Sequence, residues 1–186
     1  MDSISFTPGM TLVNAFNHET FVFTTPESAD AAEFEVRLGS GGSGGGDAMA
    51  HIHPETDETF TVRSGLLNVS VDGQEHELRP GETMTVPRGK PHFFRNAHED
   101  DTVLVVRFTP AQHHLRFFLN FGTIAQNHPE WFGPKGEPSF LLMALTLHTF
   151  KGHFYVAGPP VWVQKLLFAT FAPIARLMGY KVVVGP

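Results

Sequence analysis

The chain contains no cysteine. Disulfides, thiolate metal ligation and cysteine nucleophiles are therefore closed to it. Basic residues are also scarce: 13 Lys and Arg against 19 Asp and Glu give a net charge of −6. With no cluster of cations to offset that balance, no nucleic-acid partner held by phosphate contacts is expected. Long hydrophobic runs are missing too. The most apolar segment, 161–178, is interrupted by Lys165 and Arg176, which have ten residues between them, against the ~20 needed to cross a bilayer. Pro173 would also kink a helix there. The segment is expected to form a helix packed over the barrel mouth, a subunit-interface helix, or an interfacial membrane anchor, in that order. Met1-Asp2-Ser3-Ile4 has neither the basic nor the apolar region of a secretory leader, so the expected location is cytoplasmic.

What is present falls into two patterns. Up to about residue 110, short alternating segments (11–17, 19–24, 33–38 and 57–63) are separated by turn signals such as Ser64-Gly65, Pro80-Gly81 and Pro87-Arg88-Gly89. Punctuation of this kind every ten residues or so reads as an all-β barrel or sandwich. From Thr109 the period changes. Thr109-Pro110 reads as an N-cap followed by Pro at N1, opening a helix over 111–126 with Leu115, Phe118, Leu119 and Gly122 on one side. Two further apolar segments, 140–150 and 161–178, follow a breaker-rich stretch at 127–138. The organisation expected is a β-barrel over 1–110 and a helical extension over 111–186, packed on the barrel or at a dimer interface.

His51 and His53 stand at i and i+2. On a strand those side chains project from one face and can share an ion. Glu58 opens the next strand-like run and His92 would open a third. Imidazole nitrogen and carboxylate oxygen suit first-row divalent ions, and three histidines with one glutamate leave two positions of an octahedron open.

Both stretches carrying these residues are patterned. The first reads Gly45-x5-His51-x-His53-x4-Glu58-x6-Gly65 and the second Gly81-x5-Pro87-x-Gly89-x2-His92-x3-Asn96. Together they resemble the two motifs of the cupin superfamily, over about residues 30–110. The resemblance implies a double-stranded β-helix, or jelly roll. It implies His51, His53, Glu58 and His92 as ligands of one divalent transition-metal ion (Fe, Mn, Ni, Cu or Zn). It further implies a metal-dependent enzyme of the dioxygenase type, acting on a small apolar, aromatic or enolisable molecule, with Glu58 shifting between ligand and base. An isomerase, cyclase or decarboxylase that does not use O2, and a non-enzymatic ligand-binding module, remain open. Barrels of this family commonly pair, so a homodimer is expected.

Other residues are weighed around this set. Phe60 and Phe94 lie two positions after Glu58 and His92, on the same strand faces, as walls of a substrate pocket or as core. Arg63, Arg95 and above all Arg107 are strand residues able to grip a carboxylate or enolate, or to form surface ion pairs. Glu55 and Asp57 are acid–base candidates or exposed turn groups. His18, His76, His98, His113, His114, His128, His148 and His153 lack ligand spacing and are read as solvated or capping residues. The glycine tract 39–46 reads as a mobile loop at the barrel mouth or as a solvated surface loop.

Overall fold

The computed structural model describes residues 7–14, 16–26, 28–43, 49–134 and 136–185. Gly45, the first motif glycine, and the rest of 44–48 lie outside them.

Ten strands are laid down before the first helix: β1 (Thr11–Asn14), β2 (Glu19–Val22), β3 (Ala32–Leu38), β4 (His51–Ile52), β5 (Asp57–Ser64), β6 (Leu67–Val71), β7 (Gln74–Leu78), β8 (Thr83–Val86), β9 (His92–Arg95) and β10 (Thr102–Thr109). Then come α1 (His114–Asn127), α2 (Phe140–Thr149), β11 (Tyr155–Val156) and α3 (Val161–Leu177). The strands form two antiparallel sheets, ordered β1-β2-β3-β10-β5-β8 and β11-β4-β9-β6-β7. This is the jelly roll that the sequence pattern implied, with three helices following it.

Period-two alternation builds the core. On β3, Ala32, Phe34, Val36 and Leu38 point in; on β10, Leu104, Val106 and Phe108 do so; on β5, Glu58, Phe60 and Val62. Leu67, Val69 and Phe94 answer them from the facing sheet. Stacked and tilted phenylalanines at Phe21, Phe34, Phe108 and Phe118 fill the space between the barrel and α1. A fully buried Phe contributes roughly 1.5–3 kcal/mol relative to an exposed one.

The two motifs are partly structural. Gly65 has φ +76° in the β5–β6 turn, and a Cβ there would stand 2.5 Å from the Asp101 carbonyl oxygen and 2.7 Å from Thr102 Cα. Asn96, buried after β9, donates to the carbonyls of Leu38 (3.3 Å), Gly39 (3.1 Å) and Asp100 (2.8 Å) and accepts from His98 N–H at 3.0 Å. It pins one end of the barrel.

Two expectations are corrected. The first helix begins at His114 rather than at residue 111, because Thr109 is the last residue of β10, paired with Asp57, and its backbone is extended. The described part of the glycine tract does not lie at the mouth: Ser43 bridges Arg95, the end of β9 away from His92, and Gly42 accepts from Asn96 N–H at 2.8 Å.

The extension is also continuous with the barrel. β11 pairs with β4, placing Tyr155 opposite Ile52 and Val156 opposite His51. Val184 packs into the barrel core and its N–H, with that of Val183, bonds Asn120 Oδ1 of α1.

The close approach at Gly65 separates two costs. Gly65→Ala is expected to lose about 2–3 kcal/mol of unfolding free energy, from positive φ plus the clash. Gly73→Ala, with φ +79° but open space around the added methyl, should lose only about 1 kcal/mol. Urea titration of both variants checks this, and equal losses would remove the clash.

Candidate metal centre

His51 opens β4 and faces His92 directly across the β4–β9 pair, while Glu58 enters from β5 in the opposite sheet. His53 follows two residues after His51. One ligand atom from each of the four lies within 4.8 Å of the others, and all four residues are buried.

The hydrogen bonds fix which nitrogen faces the centre. A carbonyl oxygen only accepts, so a ring nitrogen bonded to one must carry its proton. His51 Nδ1–H donates to Met49 O (3.0 Å), His92 Nδ1–H to Lys90 O (2.8 Å), and His53 Nδ1–H to His153 O. All three rings therefore turn Nε2 inward. An outer carbonyl that sets the tautomer of a ligating histidine is a usual feature of metal sites. His53 Nε2 is buried without a hydrogen-bond partner, although Glu58 Oε2 is 3.2 Å away. An unsatisfied nitrogen there fits a cation, and the hard-plus-borderline donor set fits a divalent transition ion.

Electrostatics agree with a site built for a cation. Burial, with His53 and His92 close by, pushes the His51 imidazole down to about 3. Burial alone would raise Glu58, but the His53 imidazole close by and the 2.7 Å bond to His92 more than offset it and hold the carboxyl well below the usual carboxylate range. Burial would likewise lower His92, yet its 2.7 Å bond to Glu58 Oε2 raises it.

Two residues read as bland from sequence belong here. His114, at the start of α1, donates Nδ1–H to Ala111 O at 3.0 Å, so its Nε2 accepts, and it stands 3.3 Å from His53 Nδ1. Its ring stacks on Phe108 (4.0 Å) and His153 (4.7 Å). His153 Nε2 accepts from His113 N–H (3.2 Å), and its Nδ1–H donates to Gln112 Oε1 (3.0 Å), whose amide donates to Glu55 (2.9 Å). Burial keeps His114 well below the ordinary histidine range and pushes His153 down to about 4. Adjacency did separate His113 from His114: the first is exposed, the second buried. Nothing in the sequence near His153 marks it, because a pairing of β11 with β4 brings it there.

Above the four ligands is a cavity of about 70 Å³, several times the roughly 10–15 Å³ that one water occupies. Phe94 lines it from the barrel, Phe117, Phe118, Phe121 and Ile124 from α1, and Leu142, Met143 and Leu147 from α2; no residue of α3 does, because 161–178 packs on α2 through Leu145, Ala172 and Ala175 rather than over the barrel mouth. Met49, Pro138 and Phe154 complete an apolar wall, and Thr146, His114 and His153 are its polar members besides three of the ligands.

Several expected residues lie elsewhere. Phe60 packs against Phe94 (4.9 Å) below the ligands, wholly buried, as core rather than cavity wall. Arg107 sits on the outer face of β10 between inward Val106 and Phe108 and ion-pairs with Glu33 at 3.1 Å. Arg63 and Arg95 are exposed for the same alternating reason. Asp57 is held by Arg88 outside the barrel.

Residues 34–108 match the cupin domain model. The chain thus carries a cupin domain. It is 40% identical over 63 residues to quercetin 2,3-dioxygenase of Bacillus subtilis (strain 168), covering 33% of this chain and 18% of that one. A protein of Aquifex aeolicus (strain VF5) is 36% identical over 63 residues, covering 34% of this chain and 51% of its own. The chain thus spans about half of one of these relatives and under a fifth of the other. Among solved structures, KdgF from Halomonas sp. superposes with TM-score 0.50 at 16% identity, over 60% of this chain and 99% of that one, a likeness of fold.

The neutral histidines set an acid limit in metal-free protein. His51, His114 and His153 stay uncharged when folded but take a proton near pH 6.5 when unfolded. Stability should therefore fall as pH drops from 6.5 towards 4, by up to about 1.4 kcal/mol per pH unit for each histidine. His92 acts oppositely: its raised value contributes stability that is complete below pH 6.5 and is lost as pH rises through the folded value. Urea midpoints of chelator-treated protein between pH 7 and pH 5 measure this, and a flat profile would contradict the buried neutral rings.

Proposed function

We propose that this protein is a metal-dependent cupin enzyme of the dioxygenase type. Its substrate is a small, largely apolar molecule with an aromatic or enolisable oxygen-bearing head. The observation that carries the reading is the convergence of four ligands, three of them at the floor of a cavity whose other walls are almost wholly apolar. No lysine or arginine lines that cavity, so a phosphate or a second carboxylate on the ligand would be buried unpaired, at a cost of several kcal/mol. The short similarity to quercetin 2,3-dioxygenase supports the same class.

His51, His53, Glu58 and His92 would hold a divalent ion, which, when bound, supplies Lewis acidity and open coordination positions. The chain's own residues do the rest. Phenylalanines of α1 and Phe94 hold a flat apolar ligand and exclude water, strengthening polar contacts at the floor. Glu58, kept ionised by its histidine neighbours, accepts a hydrogen bond from an acidic hydroxyl brought to its carboxylate oxygen. The carbonyl of His153 and the rings of His114 and Phe108 hold His53 in place.

A redox-neutral isomerisation, cyclisation or decarboxylation is the second reading. It needs a further proton-transfer group; His153 is on the cavity wall, but both its ring nitrogens are engaged, by Gln112 and by His113 N–H, so the reading has no free group for that role there.

Metal analysis and O2 uptake distinguish them. Protein reconstituted with Fe(II), Mn(II), Ni(II) or Cu(II) is expected to consume O2 with flavonols, diketones or catechols. His53→Ala is expected to lose at least about 100-fold of that rate and of metal affinity while remaining folded. Substrate turnover that proceeds unchanged without O2 would replace the first reading by the second, and a chain that binds no divalent ion would end both.

A further inference from the structure

The outside of α3 is as apolar as the cavity is. Trp162 (69% exposed), Leu166 (62%) and Leu177 (88%) stand in water, and Ile174 of the same helix and Met178 just after it are exposed too. At 3.6 residues per turn, Trp162, Leu166, Pro173 and Leu177 fall within about 60° of one another. They form one stripe, opposite the buried Gln164, Phe168, Ala172 and Ala175. The helix is not free to turn this stripe inward. Gln164 accepts from Val156 N–H (3.0 Å) and donates to the carbonyls of Val156 (2.9 Å) and Pro159 (2.8 Å), locking α3 to β11.

The C-terminal part of the chain, to which α3 belongs, carries charge of one sign. Residues 138–186 carry Lys151, Lys165, Arg176 and Lys181 and no Asp or Glu; all 19 acidic residues precede them. All four cations are exposed. Lys165 and Arg176 flank the stripe along one edge. Among the described residues none of the four is in an ion pair, and Lys165 only caps the Tyr155 ring at 5.7 Å.

We propose that this face of α3 docks on the surface of an anionic lipid bilayer. The apolar stripe enters the boundary between headgroups and acyl chains, with Trp162 at headgroup depth, and the flanking cations meet lipid phosphates. The acidic remainder of the chain is repelled by the same surface, which orients the barrel away from it. α3 lies on the membrane; no helix of the described residues is long and apolar enough to cross one. A second copy is the poorer occupant. Two-fold pairing through the stripe would set Lys165 and Arg176 against their own images, with no carboxylate in 138–186 to answer them.

The test is sedimentation with vesicles of phosphatidylcholine containing roughly one-third phosphatidylglycerol, and with phosphatidylcholine alone, at low salt. The chain is expected to pellet with the first and about tenfold more weakly with the second. A Leu166→Glu, Leu177→Glu double variant, altered only at exposed positions, should keep its thermal midpoint and lose at least about tenfold of the binding. Lys165→Gln with Arg176→Gln should remove the preference for the anionic vesicles. Failure to pellet with anionic vesicles overturns the proposal, as does pelleting that the double glutamate variant leaves unchanged. Light scattering that finds a dimer, made monomeric by the double glutamate variant, would assign the face to a second copy instead.

Discussion

Each of the three converging imidazoles commits its Nδ1 proton to a backbone carbonyl, and the rest of the centre depends on that bond. Without it, a buried neutral imidazole would be free to choose either tautomer, and half of its choices would turn an N–H toward the ion. With it, Nε2 presents a lone pair to the same point from three directions. His51 and His92 find their carbonyl two residues back, at Met49 and Lys90. These bonds are local, and the strand ends supply them. His53 has no such neighbour; its partner is the carbonyl of His153, a hundred residues further on. The jelly roll therefore orients two of the three histidines by itself and needs the segment after α2 to orient the third.

That dependence changes what the helical region is. β11 extends the sheet that holds His51, His153 reaches His53, and α1 and α2 lay their apolar faces across the mouth. Removing this region would uncover the cavity and leave His53 without its acceptor, so the boundary at residue 110 divides two sequence patterns more than two units of structure. The same segment decides the chemistry above the ligands. A barrel open to water would tolerate charged ligands of many kinds. One closed by Phe117, Phe118, Phe121, Leu142 and Leu147 selects against charge, because each charge brought in would shed its water with nothing to replace it.

Legibility in the sequence followed the range of the interactions. His51, His53, Glu58 and His92 could be read because their relation rests on strand alternation and short turns, which spacing records directly. Phe94 and Phe60 share the ligand-bearing faces, as the period of two requires, yet only Phe94 lines the cavity; depth along a barrel is not written in alternation. Arg107 was misplaced by one residue's parity, since Val106 and Phe108 are its inward neighbours. His114 and His153 were illegible for a different reason. A helix start displaced from Thr109 to His114, and a two-residue strand formed only by pairing with β4, put them in place, and neither leaves a periodic trace.

Without an ion the four-residue centre is only half satisfied. Glu58 and His92 meet as a 2.7 Å pair, while His53 Nε2 lies buried with no partner and His51 is held neutral by its surroundings. A divalent ion at the shared point would give His53 its missing contact and use the neutral His51 as it stands. It would also compete with His92 for Glu58, which the 2.7 Å contact holds to that ring without it. His51 and His53 thus already present what a cation requires, and the cost of burying them so falls on the metal-free protein, where His53 Nε2 has no partner to offset it.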